Sequence, residues 1–337
     1  MAELRWLTEA DGAGWDEFAD LFTRSRREAI PAERLWSAAG WRDAARHLPS
    51  HRRVFHVVAE QGGQAVGAAT FRMDAVRPTE VWMMFLYVVP EQRRRGVGSQ
   101  LLDAVRAVAG SSGAARISTS TYVGDAAGVA FAELAGGRPG LVTEQQRCPT
   151  ASLDVAQLQA WRDRAAERAS GYSLVAFDGV CPDEHVDAFV AVMPIMNTAP
   201  RMDWTEGYAP TREQVIANMA AGARQGYDHW TVCARDDRTG QFVGYTEVSV
   251  REHTPWLAAQ GDTGVHPDHR ERGIGRWLKA STALRLLGEK PDVEFIETWN
   301  ASVNAAMLRI NRAMGFAVVA RRQEWDVPVS PVCRRDQ

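Results

Sequence analysis

Lysine is almost absent from the sequence. Only Lys279 and Lys290 occur among 39 basic residues, so arginine carries nearly all of the positive charge. The formal net charge is −3, and the chain therefore lacks the excess of positive charge that marks a nucleic-acid-binding surface. We expect no nucleic-acid partner. Arginine also differs from lysine in offering a fixed bidentate fork to phosphate and carboxylate groups.

Cysteine pairs and long apolar runs are also missing. None of the cysteines has CxxC or metal-ligand spacing, which predicts free thiols and no metal site. No apolar run reaches the length of a membrane span. The N-terminal segment 1–6 has neither the basic start nor the apolar core of a signal peptide. We therefore expect a cytoplasmic protein with no membrane partner. The four cysteines are Cys148, Cys181, Cys233 and Cys333.

Two glycine-containing segments repeat one pattern along the chain. Residues 88–98 read VVPEQRRRGVG and residues 265–275 read VHPDHRERGIG, so that Gly273 lies 177 residues after Gly96. At the same offset Thr121 meets Thr298. A repeat held over so many positions indicates two copies of one domain, and a chain of 337 residues has room for two. We predict domains at 1–154 and 170–337, joined by a polar helical linker at 155–169.

The hydrophobic periodicity predicts the same order of elements in both halves. In the first half we predict helices at 12–29, 31–46, 99–109 and up to 134, and strands at 53–59, 64–72, 81–89 and 115–121. In the second half we predict helices at 183–192, 211–224, from 276, and at 304–314, and strands at 229–234, 241–250, up to 265, and at 293–298.

The repeated segment has the features of an anion site. Glycine lets the backbone come close to a ligand, and the free amides at a helix start point at it with the helix dipole behind them. The arginines of both copies add positive charge. A dinucleotide-binding loop would need a third glycine where Leu101 and Leu278 stand. A Walker A loop would need Gly-Lys followed by Ser or Thr, and neither copy has it.

The segments 93–98 and 270–275 match the pattern Arg/Gln-x-x-Gly-x-Gly/Ala and resemble the coenzyme A loop of the GNAT superfamily of N-acetyltransferases. The stretch 298–311, followed by Gly315 and Phe316, resembles the fifth strand and last helix of that family. The tandem arrangement is similar to the mycothiol-synthase-like two-domain acetyltransferases of actinobacteria. The resemblance implies an α/β fold in which two tandem domains each have a mixed, mostly antiparallel sheet flanked by helices.

The resemblance further implies that acetyl-CoA is the acyl donor and that both loops hold its pyrophosphate. The backbone amide near Val88 or Val265 would meet the thioester carbonyl. Asn304 would lie close to the donor, although it could equally serve as the cap of the last helix. The residues that the resemblance implies for donor binding are Val88, Arg93, Arg95, Gly96, Val97 and Gly98 in the first half, and Val265, Arg270, Arg272, Gly273, Ile274, Gly275 and Asn304 in the second.

Acyl transfer to an amine also needs a base, which in this family is often a carboxylate. Glu247 and Asp262 are the candidates that we single out in the second half, with Glu252 as a third. By the same resemblance a tyrosine of the last helix protonates the leaving thiolate. The sequence departs from the family here, because the matching positions are Asn311 and Ala132 and neither can donate a proton as tyrosine does.

The first half offers little for catalysis. Its strand 81–89 is almost wholly apolar, with Glu80 the only carboxylate at its start, so we predict that the second domain is catalytic. The segment 193–204 is rich in Met, Pro and Trp and suits a cover over the acceptor, for which we expect a small-molecule primary amine. An acyltransferase with another donor or a protein N-terminus as acceptor, a non-catalytic coenzyme A sensor or scaffold, and a monomer or a homodimer all stay open.

Overall fold

A computed structural model describes residues 1–31, 33–34 and 37–330 of the chain. Cys333 lies outside the described residues. The chain divides into two compact units, Met1–Thr143 with Ala320–Gln337, and Glu144–Val319. The domain limits that the repeat suggests, 1–154 and 170–337, remain predictions.

Twelve strands and nine α-helices occur in the described residues. In chain order they are β1 (Glu3–Trp6), α1 (Gly12–Ala29), α2 (Ala38–Arg46), β2 (Arg52–Gln61), β3 (Gln64–Asp74), β4 (Arg77–Val88), α3 (Val97–Ser111), β5 (Arg116–Tyr122), α4 (Ala126–Leu134), β6 (Arg138–Pro149), α5 (Val155–Arg168), β7 (Tyr172–Asp178), α6 (Asp183–Val192), α7 (Arg212–Arg224), β8 (Tyr227–Asp236), β9 (Phe242–Arg251), β10 (Thr254–Val265), α8 (Ile274–Glu289), β11 (Phe295–Ala301), α9 (Ala305–Ala313) and β12 (Ala317–Pro328). Short 3-10 turns follow β4, β6, α6 and β10.

Each unit contains a mixed sheet, as the sequence predicted. In the first unit the strands lie in the order β1-β2-β3-β4-β5-β12, and β4 runs parallel to β5 while β2–β3, β3–β4 and β5–β12 are antiparallel. In the second unit the order is β11-β10-β9-β8-β7, with β10 parallel to β11 and the other pairs antiparallel. The fold is therefore mixed α/β, with helices flanking mostly antiparallel sheets.

The fourth strand of each repeat is irregular at one equivalent place. In β4, Met84 is an extra residue, because Met83 pairs with Phe71 and Phe85 pairs with the adjacent Thr70. In β10 the register likewise shifts between Gln260 and Thr263. Such a bulge bends the strand and re-aims its side chains. The parallel pairing beside it is confined to residues 80–82 with 116–118 and residues 257–259 with 295–297, so it stops before the bulge in each unit.

The repeat offset changes after the glycine segment. Trp82 pairs with Ser118 in the first unit, and Ala259, which lies 177 residues after Trp82, pairs with Glu297 in the second. Ser118 and Glu297 are 179 residues apart, so the second copy has two extra residues before its β11. The match of Thr121 with Thr298 was therefore wrong.

The predicted helix at 31–46 was wrong at its start. Pro31, Glu33 and Arg34 lie outside any helix, and α2 begins at Ala38, where the hydroxyl of Ser37 accepts a bond from the Gly40 amide at 3.4 Å. Residues 32, 35 and 36 of that segment lie outside the described residues. The strand predicted at 81–89 begins four residues earlier, at Arg77.

Each of the two units has its own hydrophobic core. Trp15 and Phe18 of α1 and Leu101 of α3 are fully buried in the first unit, and Trp325 and Val327 of β12 belong to the same cluster. In the second unit, α5 packs on α8 and adds Leu158 and Trp161 to a core with β9, β10 and β11. The segment predicted as helical at 155–169 is thus a helix that belongs to the second unit and packs into its core.

Candidate functional site

Both glycine loops have the same backbone shape. Arg94 and Gly96 have φ angles of 63° and 85°, and Glu271 and Gly273 have φ angles of 65° and 86°. Residues in this left-handed region turn successive amides toward one concave side, which is the form of an anion-binding nest. The following helix begins at once in each copy, and its N-cap is a glycine with no capping side chain. The first-turn amides of α3 and α8 are therefore left for a ligand.

The second glycine of each loop lies where two helices approach. A Cβ atom on Gly98 would lie 3.4 Å from the ring of Phe131 in α4, and one on Gly275 would lie 3.6 Å from Ile310 in α9. Neither glycine has a positive φ angle, so glycine is not required there for backbone reasons. The absence of a side chain at each position lets the neighbouring helix pack close to the start of α3 and of α8.

The first arginine of each loop folds back onto the strand that precedes it. Arg93 Nε donates to the carbonyl of Val88, and Arg270 Nε donates to that of Val265, both at 2.9 Å. These bonds fix the exit of β4 and β10. The second arginines, Arg95 and Arg272, are exposed. Donation from the Val88 or Val265 amide to a thioester remains a prediction.

Glu247 of β9 is paired with a histidine that the sequence analysis did not single out. His229 Nε2 lies 3.2 Å from Glu247 Oε1 and 3.3 Å from Thr231 Oγ1. The Glu247 side chain lies over Gly261 of the β10 bulge, where an added Cβ would lie 3.4 Å from Glu247 Cβ. The side chains of His229 and Glu247 are 26% and 16% exposed, and they form a hydrogen-bonded pair of titratable groups beside the bulge.

Asp262, the second carboxylate candidate, lies within the bulge. Its Oδ2 accepts a bond from the hydroxyl of Tyr245 at 3.1 Å. Tyr245 is fully buried, and burial, followed by the charges of Asp262 and Glu247, raises its pKa well above the ordinary value. The negative charges of both predicted carboxylates thus raise the pKa of the same tyrosine of β9. The structure therefore brings Glu247 and Asp262 close to the same tyrosine, and the side chain of Val265 at the end of β10 packs against the core cluster that includes Ile274 of α8.

The positions in the first unit that match these two carboxylates carry no charge. The residues 177 positions before Glu247 and Asp262 are Thr70 and Phe85. Phe85 packs at 5.8 Å from the ring of Phe18 and 5.2 Å from that of Phe22. Burial also lowers the pKa of nearby His56 to about 4, so this histidine is neutral. This place in the first unit therefore has aromatic packing where the second has carboxylates.

Asn311, at the position where a family tyrosine was expected, is completely buried. Its Oδ1 accepts a bond from Lys279 Nζ at 2.7 Å, and its Nδ2 donates to Gln146 Oε1 at 2.8 Å. Gln146 in turn donates to Glu144 Oε2 at 3.1 Å. Both ends of the Asn311 amide are therefore used within the fold. Ala132, at the matching position of the first unit, is buried as well.

Two further predicted residues, Asn304 and Glu252, lie at a helix start and at a surface cleft. Asn304 caps α9, since its Oδ1 accepts a bond from the Met307 amide at 3.3 Å, and its contact with a donor remains a prediction. Glu252 lies beyond the end of β9 and lines a surface cleft of about 390 Å³ together with Asp228 and Lys290.

The segment 193–204 begins with a 3-10 turn, Met193–Thr198, that packs on β10 just before the loop. A Cβ atom on Gly264 would lie 3.0 Å from the side chain of Ile195. The side chain of Asn197 ties the segment to the Tyr208 backbone. Its Nδ2 donates to the Tyr208 carbonyl at 2.8 Å, and its Oδ1 accepts a bond from the Tyr208 amide at 2.7 Å. The segment therefore borders the loop, while its role as a cover for the acceptor remains a prediction.

The model of the Acetyltransferase (GNAT) family matches the chain twice, over residues 15–136 and 189–316. The chain belongs to this family and contains two tandem copies of its domain. It is therefore an acyltransferase of the N-acetyltransferase class. Within the described residues, no helix is long and apolar enough to cross a membrane, and no three His, Cys, Asp or Glu side chains are grouped to hold a metal ion.

Two solved structures show the same fold along almost the whole chain. A tandem GNAT protein from the clavulanic acid biosynthesis pathway has a TM-score of 0.77 and 24% identity, over 98% of this chain and 100% of that one. A GCN5-related N-acetyltransferase from Sphaerobacter thermophilus has a TM-score of 0.68 and 18% identity, over 98% of this chain and 96% of that one. No curated protein matches the chain.

Proposed function

We propose that the chain transfers an acetyl group from acetyl-CoA to a primary amine of a small molecule, and that the second unit carries out this reaction. The observation that carries the proposal is the pair of carboxylates, Glu247 and Asp262, beside the bulge of β10. The first unit has a similar loop and bulge but Thr70 and Phe85 at those positions. A loop without the carboxylates supports donor binding without turnover.

The steps of the reaction are assigned to groups of the second unit and, for the last proton, to water. The amides that follow Gly273 receive the pyrophosphate, and the amide near Val265 polarises the thioester carbonyl. Glu247 accepts the proton of the attacking amine, and His229 orients this carboxylate. The carbon–sulfur bond then breaks and coenzyme A leaves as a thiolate. Since Asn311 is buried and fully bonded, water supplies the last proton.

One observation favours a different function. The missing acid at Asn311 is what a coenzyme A sensor or scaffold would show after losing catalysis. The hydrogen-bonded pair of His229 and Glu247 argues for the enzyme, because a sensor has no need of a proton acceptor there. Another acyl donor and a protein N-terminus as acceptor also stay open. The similarity to mycothiol-synthase-like enzymes remains a prediction, since no residue demands their acceptor.

The test is calorimetric binding of acetyl-CoA, followed by thiol release with a panel of amines. The variants are Gly98→Glu and Gly275→Glu, which add a negative charge in the first turn of α3 and of α8, beside the amides expected to receive the pyrophosphate, at positions where the φ angle is not positive. We expect turnover to be lost in Gly275→Glu and kept in Gly98→Glu. Gly288→Glu is the matched control on α8, because open space surrounds that position.

The outcomes separate the alternatives. Absence of binding in the wild type would overturn the acetyl-CoA proposal. Binding without turnover for any amine would support the sensor. Loss of turnover in Gly98→Glu alone would move catalysis to the first unit.

A further inference from the structure

The arginines that open the two loops have partners of different charge. Arg93 Nη2 donates to both carboxylate oxygens of Glu28, at 3.0 and 2.8 Å. Arg270 Nη2 donates instead to the hydroxyl of Thr198 at 2.6 Å. The Nε atoms of both arginines make the same bond to a strand carbonyl. The free edge of the guanidinium therefore meets a negative charge in the first unit and a neutral group in the second.

Glu28 is held in place by a second partner. The hydroxyl of Tyr87, near the end of β4, donates to Glu28 Oε1 at 2.6 Å. The residue of β10 that matches Tyr87 is Gly264, and Ile195 fills the space beside it. The tyrosine and the carboxylate thus occur together in the first unit, and both are replaced in the second.

We propose that Glu28 cancels the charge of Arg93 and makes the first loop a weak pyrophosphate site, so that the chain carries one tight and one weak site for acetyl-CoA. This inference rests on the proposed function, in which both loops receive the pyrophosphate. The side chains of Arg93 and Glu28 are 31% and 42% exposed, so the pair is open to an incoming ligand.

Elementary electrostatics gives the size of the effect. If a carboxylate and a doubly charged pyrophosphate are taken to be about 6 Å apart in surroundings close to water, their repulsion weakens binding on the order of tenfold at low salt. Ions at about 0.15 M screen charges over about 8 Å and reduce the factor to roughly threefold. The second loop escapes this repulsion, because Thr198 carries no charge.

The experiment is calorimetric titration with acetyl-CoA in the Gly275→Glu background, which leaves only the first loop to bind. Glu28→Gln keeps groups able to bond to Tyr87 and Arg93 and removes only the charge. We expect the first loop to bind acetyl-CoA threefold to tenfold more tightly in this variant, with the larger gain at low salt. Asp20→Asn is the matched control, since it removes an exposed carboxylate from the same helix.

The reverse change tests the same idea on the other loop. Thr198→Glu, in the Gly98→Glu background, places a carboxylate next to Arg270 and should weaken the second loop by a similar factor. This variant keeps the test decisive if Glu28→Gln does not fold. Unchanged affinity in both variants, or weaker binding in Glu28→Gln, would overturn the inference. If neither loop binds in the wild type, the proposed function fails instead.

Discussion

One of the two lysines of this arginine-rich chain is fully buried. Lys279 of α8 is 1% exposed, donates to Asn311 and lies 5.1 Å from the ring centre of Phe316. Burial lowers the pKa of this lysine to about 7. A guanidinium does not lose its proton in a protein, so arginine would keep a buried charge at this place. Lysine is the basic residue that can become neutral there.

Stability should therefore rise with pH over a defined range. Lys279 has a pKa of about 7 in the folded protein and 10.5 in the unfolded chain, so the folded state holds fewer protons between these values. The burial penalty is full below pH 7 and vanishes above pH 10.5, a difference of about 5 kcal/mol at about 1.4 kcal/mol per pH unit. In Lys279→Met we expect most of this rise to disappear, measured as the free energy of unfolding in urea from pH 6.5 to pH 10.

The only other lysine gives the control for that measurement. Lys290 lies at the end of α8 with its Nζ 2.5 Å from Asp228 Oδ2, and its side chain is 33% exposed. Lys290→Met should keep the pH dependence of the wild type. Lys279→Met also leaves Asn311 without a donor, which costs about 1–3 kcal/mol at every pH. An unchanged slope in Lys279→Met would show that the lysine stays charged when buried.

The carboxylates of the second unit can be ranked by their effect on turnover. If Glu247 is the base, Glu247→Gln should lower kcat/KM by about a hundredfold or more while the affinity for acetyl-CoA stays the same. His229→Gln should have a smaller effect of about tenfold, because this histidine positions the carboxylate. Steady-state thiol release with the best amine measures both. Glu252→Gln should have no effect, and a larger loss in Asp262→Asn would make Asp262 the base.

Among the elements, those with a clear apolar period were predicted well. The helix predicted at 12–29 is α1, and the one at 183–192 is α6, with the same ends. The glycine loops were also predicted, because Gly-x-Gly between a strand and a helix is a local pattern. Four strands were not predicted, namely β1, β6, β7 and β12. In β12 the run Arg321–Glu324 reads as surface, and only pairing with β5 makes it a strand.

The parts of the site that were missed depend on pairing between strands. His229 meets Glu247 because Thr231 is the cross-strand partner of Glu247, so His229 lies two residues away on the same face of the sheet. A hairpin register from residue 227 to 251 would have revealed this pair. The contact of Glu28 with Arg93 joins residues 65 positions apart, and no local pattern encodes it.

At the scale of the whole chain, the order of the strands departs from the order of the sequence. Residues 320–330 belong to the first unit, and β12 pairs with β5 from Pro328 opposite Arg116 to Arg322 opposite Tyr122. Trp325 is 3% exposed in the first core and donates to Thr121 Oγ1 at 2.9 Å. A copy of the first domain cut from the chain at residue 154 would therefore lack one of its strands.

This arrangement predicts how fragments behave. A fragment of residues 1–154 should be much less stable than residues 1–143 joined through a flexible Gly/Ser linker to residues 317–330. Loss of a buried Trp side chain alone costs about 3–5 kcal/mol, a large part of the 5–15 kcal/mol that stabilises a typical domain. Urea unfolding gives the difference, and hydrogen exchange should show protected β5 amides in the joined fragment only.

Trp325→Ala in the joined fragment is the matched control, and it should bring the stability back toward that of residues 1–154. Equal stability of the two fragments would mean that β5 does not need β12. In that case residues 317–330 could be removed without harm to the first unit. If the joined fragment is more stable, then cutting the chain at residue 154, as the sequence repeat suggests, separates β5 from its partner strand β12.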